Sequence, residues 1–255
     1  MSWNPFSRLS APKKTVISRT AEREFEKEVK KLEELDEVTR KLYKDAKRLV
    51  EANNAVSKSQ RKLTQDLLTS ALCQGEDTLH RNVEEWDHAV VTLDLHSQDL
   101  NTITQKTLID PMKKFNSIFP NVQAAVKKRE QSLQEFQKCQ AKVDKYQERD
   151  RTGQNVVKLD QSKKSLALAK EDFQVQNSAL VEDMPKLYES RIDYFHPSLE
   201  ALIKSQVTHN TEAFKVYSEL SSTLCGLKNY TDDEYKSRMQ QTLSEIKALS
   251  ITVDD

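Results

Sequence analysis

Residues 121–170 read NVQAAVKKREQSLQEFQKCQAKVDKYQERDRTGQNVVKLDQSKKSLALAK. Before Gly153, Val126, Leu133, Phe136 and Val143 recur at steps of three or seven, which keeps them on one face of a helix. After Gly153, Leu159 and Leu166 resume the same rhythm and Phe173 continues it. A glycine between two such runs marks a turn, and two helices joined by a short turn must fold back antiparallel. The stretch also holds 12 Lys and Arg against 6 Asp and Glu, so the turn sits in a basic neighbourhood.

Working outward, the chain of 255 residues has only 3 glycines, Gly75, Gly153 and Gly226, too few for the tight turns of a sheet protein. With 31% charged and 36% hydrophobic residues, narrow apolar stripes on long solvated helices fit better than one compact core. Phe25, Val29, Leu32, Leu35, Val38, Leu42, Ala46, Leu49, Ala52 and Val56 line one face of a first helix, for which Thr20 is the expected N-cap. A second helix runs from near Thr78 to Val143, and a third from Leu159 to Leu220. A helix of about 70 residues is about 105 Å long at ~1.5 Å per residue. The expected fold is all-α: an elongated antiparallel bundle of three long kinked helices.

Prolines are the expected kink sites, because each removes a helix hydrogen bond and clashes with the turn before it. Pro120 lies 33 residues before Gly153 and Pro185 lies 32 after; Pro111 lies 42 before and Pro197 lies 44 after. In an antiparallel pair these fall at matching heights, which would bend the two helices together. The other reading is that each proline simply ends its helix.

Aromatic residues crowd into one part of the third helix, among them Tyr188, Phe195 and Phe214. Together they exceed one helix stripe, so a homodimer through this half is the expectation, with these three in its belt. A thicker monomeric bundle that uses residues 227–255 as a lid is the alternative. That tail opens with a capping box, Thr231 to Glu234, followed by an apolar face from Tyr235 to Leu249.

Net charge is zero, which argues against nucleic acid as a partner. Residues 1–20 add four bases and no acid to the basic turn, so the rest of the chain is acidic. Bases that reach an anionic leaflet together gain up to ~1 kcal/mol each. Trp3, Phe6 and Leu9, at three-residue steps beside Arg8, read as a short interfacial wedge. Pro5 and Pro12 make a disordered leader the rival reading, and they also break the helix a transit peptide would need. The expected division is a leader at 1–19, a three-helix coiled coil at 20–226, and a short helix with tail at 227–255. Cys73, Cys139 and Cys225 form neither a disulfide framework nor a thiolate cluster, which suits a cytoplasmic protein. No apolar run approaches a membrane span, so membrane contact is expected to be peripheral.

Four pieces of the chain together resemble the BAR-domain proteins of the amphiphysin and bridging integrator group. They are the opening Met1-Ser2-Trp3 with Pro5-Phe6, Asp110-Pro111-Met112-Lys113-Lys114-Phe115, Ala125-Val126-Lys127-Lys128-Arg129-Glu130, and the run from Tyr194 through His196-Pro197-Ser198 to Ile203. The resemblance implies a crescent-shaped dimer that senses or bends anionic membranes and works with actin in endocytosis, cytokinesis and cell shape. It implies that Lys127, Lys128 and Arg129 line the concave face and that Lys138, Lys142, Lys145, Arg149, Arg151 and Lys158 belong to the distal arm. It also admits hetero-dimerisation within the family and actin-linked proteins or small GTPases as partners.

His80, His88 and His96 step by eight and drift around the helix, so they make a poor metal set. Without a phosphate loop, an H-E-x-x-H or a G-x-S-x-G, neither an enzyme nor a cofactor is expected. The rival class is a helical scaffold, tether or small-GTPase effector that binds proteins rather than lipid.

Overall fold

The computed structural model describes residues 16–224, 230–249 and 251. Its helices are α1 (Arg19–Thr69), α2 (Asp77–Thr104), a π-helical turn (Gln105–Ile109), α3 (Asp110–Asn116), α4 (Phe119–Gln147), α5 (Gly153–Thr223) and α6 (Asp232–Lys247). Among the described residues there is no strand. Two compact units divide the chain, one of residues up to 53 with 99–208, the other of 54–98 with 209 onward.

In the first unit, α1 runs antiparallel to the succession of the end of α2, α3 and α4. Asn53 donates to Asn101 at 3.0 Å, Asn116 donates to the Thr39 carbonyl at 3.5 Å, and Glu22 meets Arg129 at 2.7 Å. The hairpin of α4 and α5 follows the register counted from Gly153. Tyr194 donates to the Pro111 carbonyl at 3.0 Å, Arg129 donates to Asn177 at 3.0 Å, and Phe136 stacks on Phe173 with ring centroids 5.9 Å apart. Arg129 and Asn177 stand equally far from Gly153 in sequence.

Two buried clusters hold this unit. Phe25, Leu32 and Met184 pack with Val122, Val126 and Leu180, which joins α1, α4 and α5. Ala46, Leu108, Ile109 and Met112 pack with Phe195 and Leu202. Each Leu, Ile, Phe or Met side chain among them contributes about 1.5–3 kcal/mol when fully buried.

The prolines behave in two ways. Pro111 follows the π-helical turn, where the backbone widens just where the ring would strike the preceding turn. Pro120 sits in the first turn of α4, where no amide hydrogen is needed, after an interruption at Ser117 and Ile118. Pro185 and Pro197 lie inside α5, which passes through both without a break.

Two smaller expectations change. Ser18, not Thr20, caps α1, since its hydroxyl accepts the Ala21 amide at 3.1 Å and Thr20 already lies inside the helix. Gly153 is the first residue of α5, not a residue past a helix end. Gly75 does take the conformation glycine is suited to, with φ at +81° in the turn between α1 and α2.

In the second unit, Val83, Ala89, Val90 and Leu93 of α2 are buried, and the buried hydroxyl of Thr64 donates to the Asp87 carboxylate. The α6 helix begins with the expected capping box: Glu234 donates its amide to the Thr231 hydroxyl and accepts the Thr231 amide at 2.7 Å. It buries none of its own residues.

Candidate membrane-binding surface

Beyond Arg129, α4 packs on α5 through Phe136 and Phe173, while α1 starts at the level of Arg129. The buried positions of α4 are Phe119, Arg129, Ser132, Phe136, Cys139 and Val143, a stripe with steps of three and four. Helix geometry then assigns the other faces. At about 100° per residue, Lys127, Lys138, Lys142 and Lys145 fall within about 60° of one another, while Glu130 and Asp144 fall outside that sector.

These four lysines are exposed. Lys138 reaches Glu135 at 3.5 Å, an exposed pair that contributes little. No ion pair among the described residues holds Lys127, Lys142 or Lys145. Lys128 is also exposed but lies about 100° around the helix from Lys127. Arg149 and Arg151, exposed in the turn, and Lys158, exposed on α5, extend the basic surface past the end of α4. The Arg149 guanidinium lies 5.4 Å from the Tyr146 ring centroid.

Arg129 is the correction. It is 1% exposed, donates two hydrogen bonds of 2.7 Å to the Glu22 carboxylate, and lies 4.0 Å from the Phe25 ring centroid and 5.1 Å from that of Phe173. Three consecutive helical residues spread over about 200°, so Arg129 must point away from Lys127. Its place in the run Val126, Arg129, Phe136, Val143 is the signal in the sequence that marks it as a core position. Its partner, 107 residues earlier, left no such signal.

The proposed dimer belt also divides. Phe195 packs on Phe115 with centroids 4.8 Å apart, and Tyr188 packs against the cluster of Phe25, Leu32 and Met184, so both already serve the chain's own core. Phe214 is 73% exposed. On the first unit's part of α5, Ile192, Leu199, Ile203 and Val207 are exposed and fall within about 80° of one another. Sequence reasoning missed this stripe because it lies beside the aromatic residues that drew attention. Trp3, Phe6 and Leu9 lie outside the described residues.

No described helix is long and apolar enough to cross a membrane, and no described group of three or more His, Cys, Asp or Glu is placed to hold a metal ion. Burial pushes the Cys139 thiol up from its ordinary range, with the neighbouring Glu135 carboxylate acting in the same direction.

The model of the BAR domain matches residues 12–225. The chain belongs to the BAR-domain family. It is 44% identical over 256 residues to bridging integrator 3 of Mus musculus, covering 100% of both chains. It is 27% identical over 272 residues to a regulator of cytoskeleton and endocytosis of Candida albicans, covering 99% and 98%. The BAR domain of Drosophila amphiphysin shares its fold with a TM-score of 0.68 at 18% identity, over 80% of this chain and 92% of that one. BAR domains are helical membrane-binding scaffolds, not an enzyme family.

Proposed function

We propose that this BAR domain dimerises and applies the α4–α5 basic surface to anionic, curved membranes. The observation that carries the reading is the lysine stripe of α4: Lys127, Lys138, Lys142 and Lys145 share one sector that excludes Glu130 and Asp144. Single surface charges are screened over a Debye length of ~8 Å, so only several bases brought to a leaflet together bind usefully. The exposed stripe from Ile192 to Val207 supports a dimer, because apolar side chains aligned on one helix face gain by being covered. The name of the Candida relative supports a place in cytoskeleton organisation and endocytosis.

The test is co-sedimentation with phosphatidylserine-containing vesicles of several diameters at low and moderate salt. Salt-sensitive binding that grows with curvature is the expected result. A chain that stays in the supernatant with every vesicle is a protein-binding scaffold instead.

A further inference from the structure

A groove of about 460 Å³ opens between the first turns of α1 and the middle of α5. Phe25, Val181, Met184 and Pro185 give it an apolar lining, and Val181 is 50% exposed there. Ile17 forms part of its wall, and Val16 and Ile17 are both half-buried ahead of α1. The chain therefore meets the bundle at this groove, with residues 1–15 preceding.

We propose that the groove is the docking site of the chain's own residues 3–9, with the side chains of Trp3, Phe6 and Leu9 as its occupants. Reach permits it: Leu9 is eight residues from Ile17, up to about 26 Å of extended chain. The wall from Ala21 to Glu28 is only about 10 Å long at ~1.5 Å per residue. Size permits it too, since pockets of roughly 300–1,000 Å³ bury ligands larger than two or three side chains. Charge does not oppose it: residues 1–15 carry Arg8, Lys13 and Lys14 and no acid, and in the groove lining Lys27 and Arg129 are balanced by Glu24 and Glu28. Tethering makes the contact intramolecular, so a modest intrinsic affinity is enough.

The contact stands without lipid. Its consequence, that a docked segment is withheld from the bilayer, rests on the membrane reading above. Vesicles and groove then compete for the same three apolar side chains.

The chain has two tryptophans, so Trp86→Phe leaves Trp3 as the only indole. Acrylamide quenching of that full-length protein without lipid should show a shielded Trp3. Val181→Glu, which charges the groove at a half-exposed position, should raise quenching several-fold, with circular dichroism unchanged. If Trp3 in the parent protein is quenched as freely as a short peptide of residues 1–15, the docking is wrong. A second measurement joins Leu9→Cys to Val181→Cys with a short bis-maleimide in a Cys225→Ser background, where Cys73 and Cys139 are buried. Intrachain products are expected; interchain products alone would assign the groove to a second copy and overturn the proposal. Phosphatidylserine vesicles then separate the two readings. Shielded Trp3 with no vesicle binding sinks the membrane function alone, and accessible Trp3 with normal vesicle binding sinks the docking alone.

Discussion

The guanidinium of Arg129 grips the carboxylate of Glu22 with two hydrogen bonds of 2.7 Å, fastening the first turn of α1 to α4. The pair is asymmetric: the Arg129 side chain is 2% exposed and that of Glu22 is 31% exposed. Phe25 and Phe173 pack against the guanidinium, and Asn177 takes its remaining Nε hydrogen. A residue that by sequence belongs to a basic cluster is thus a joint between three helices.

Removing one partner of a buried ion pair leaves the other charged and unpaired, at a cost of about 3–5 kcal/mol. Arg129→Glu, which sets two carboxylates against each other, should be worse than Glu22→Ala. Urea denaturation should show both, and the loss of folded protein would precede any reading of vesicle binding. A fully stable Arg129→Glu would contradict the ion pair.

Lys127→Glu, on the lysine stripe, with Lys128→Glu, about 100° around the helix from it, is the first test of the surface. Both residues are exposed, and exposed substitutions typically change stability by within about 0.5 kcal/mol. Binding to anionic vesicles should fall sharply at low salt, at up to ~1 kcal/mol per charge changed. Adding Lys138→Glu, Lys142→Glu and Lys145→Glu should remove what remains. Equal binding by parent and variants in co-sedimentation would remove this face from the mechanism.

Dimerisation and folding should separate along α5. Ile203→Glu alters an exposed side chain and should shift sedimentation equilibrium toward monomer while the helical circular dichroism persists. Phe195→Ala empties a half-buried position packed on Phe115 and should lower stability, by less than the ~3–5 kcal/mol of a fully buried phenylalanine. An Ile203→Glu protein that remains fully dimeric at micromolar concentration would move the interface elsewhere.

The α6 cap should respond to acid. The Thr231 amide, and then its hydroxyl, hold the Glu234 carboxyl below the usual glutamate range. A lowered folded-state value means that the stabilisation is present above the unfolded value and is lost as the pH falls through the folded one. Protection of the first-turn amides of α6, taken relative to the intrinsic exchange rate at each pH, should therefore fall in acid below the ordinary glutamate pKa. Thr231→Ala should show fast exchange there already at neutral pH.

The helical class and the hairpin register are legible from the amino-acid order, because both follow from local rules: apolar steps of three and four, and residue counts from Gly153. So are the basic excess around that turn and the cap of α6. Which member of a helical run faces another helix emerges only from packing. Lys127, Lys128 and Arg129 are neighbours in sequence, yet turns of about 100° send Arg129 into the core to meet Glu22. Tyr188 and Phe195 likewise look like interface residues until Tyr188 is seen against the cluster of Phe25, Leu32 and Met184 and Phe195 against Phe115. Contacts between residues far apart in the chain, such as Glu22 with Arg129, exist only once three helices are packed side by side, and no spacing within one helix encodes them.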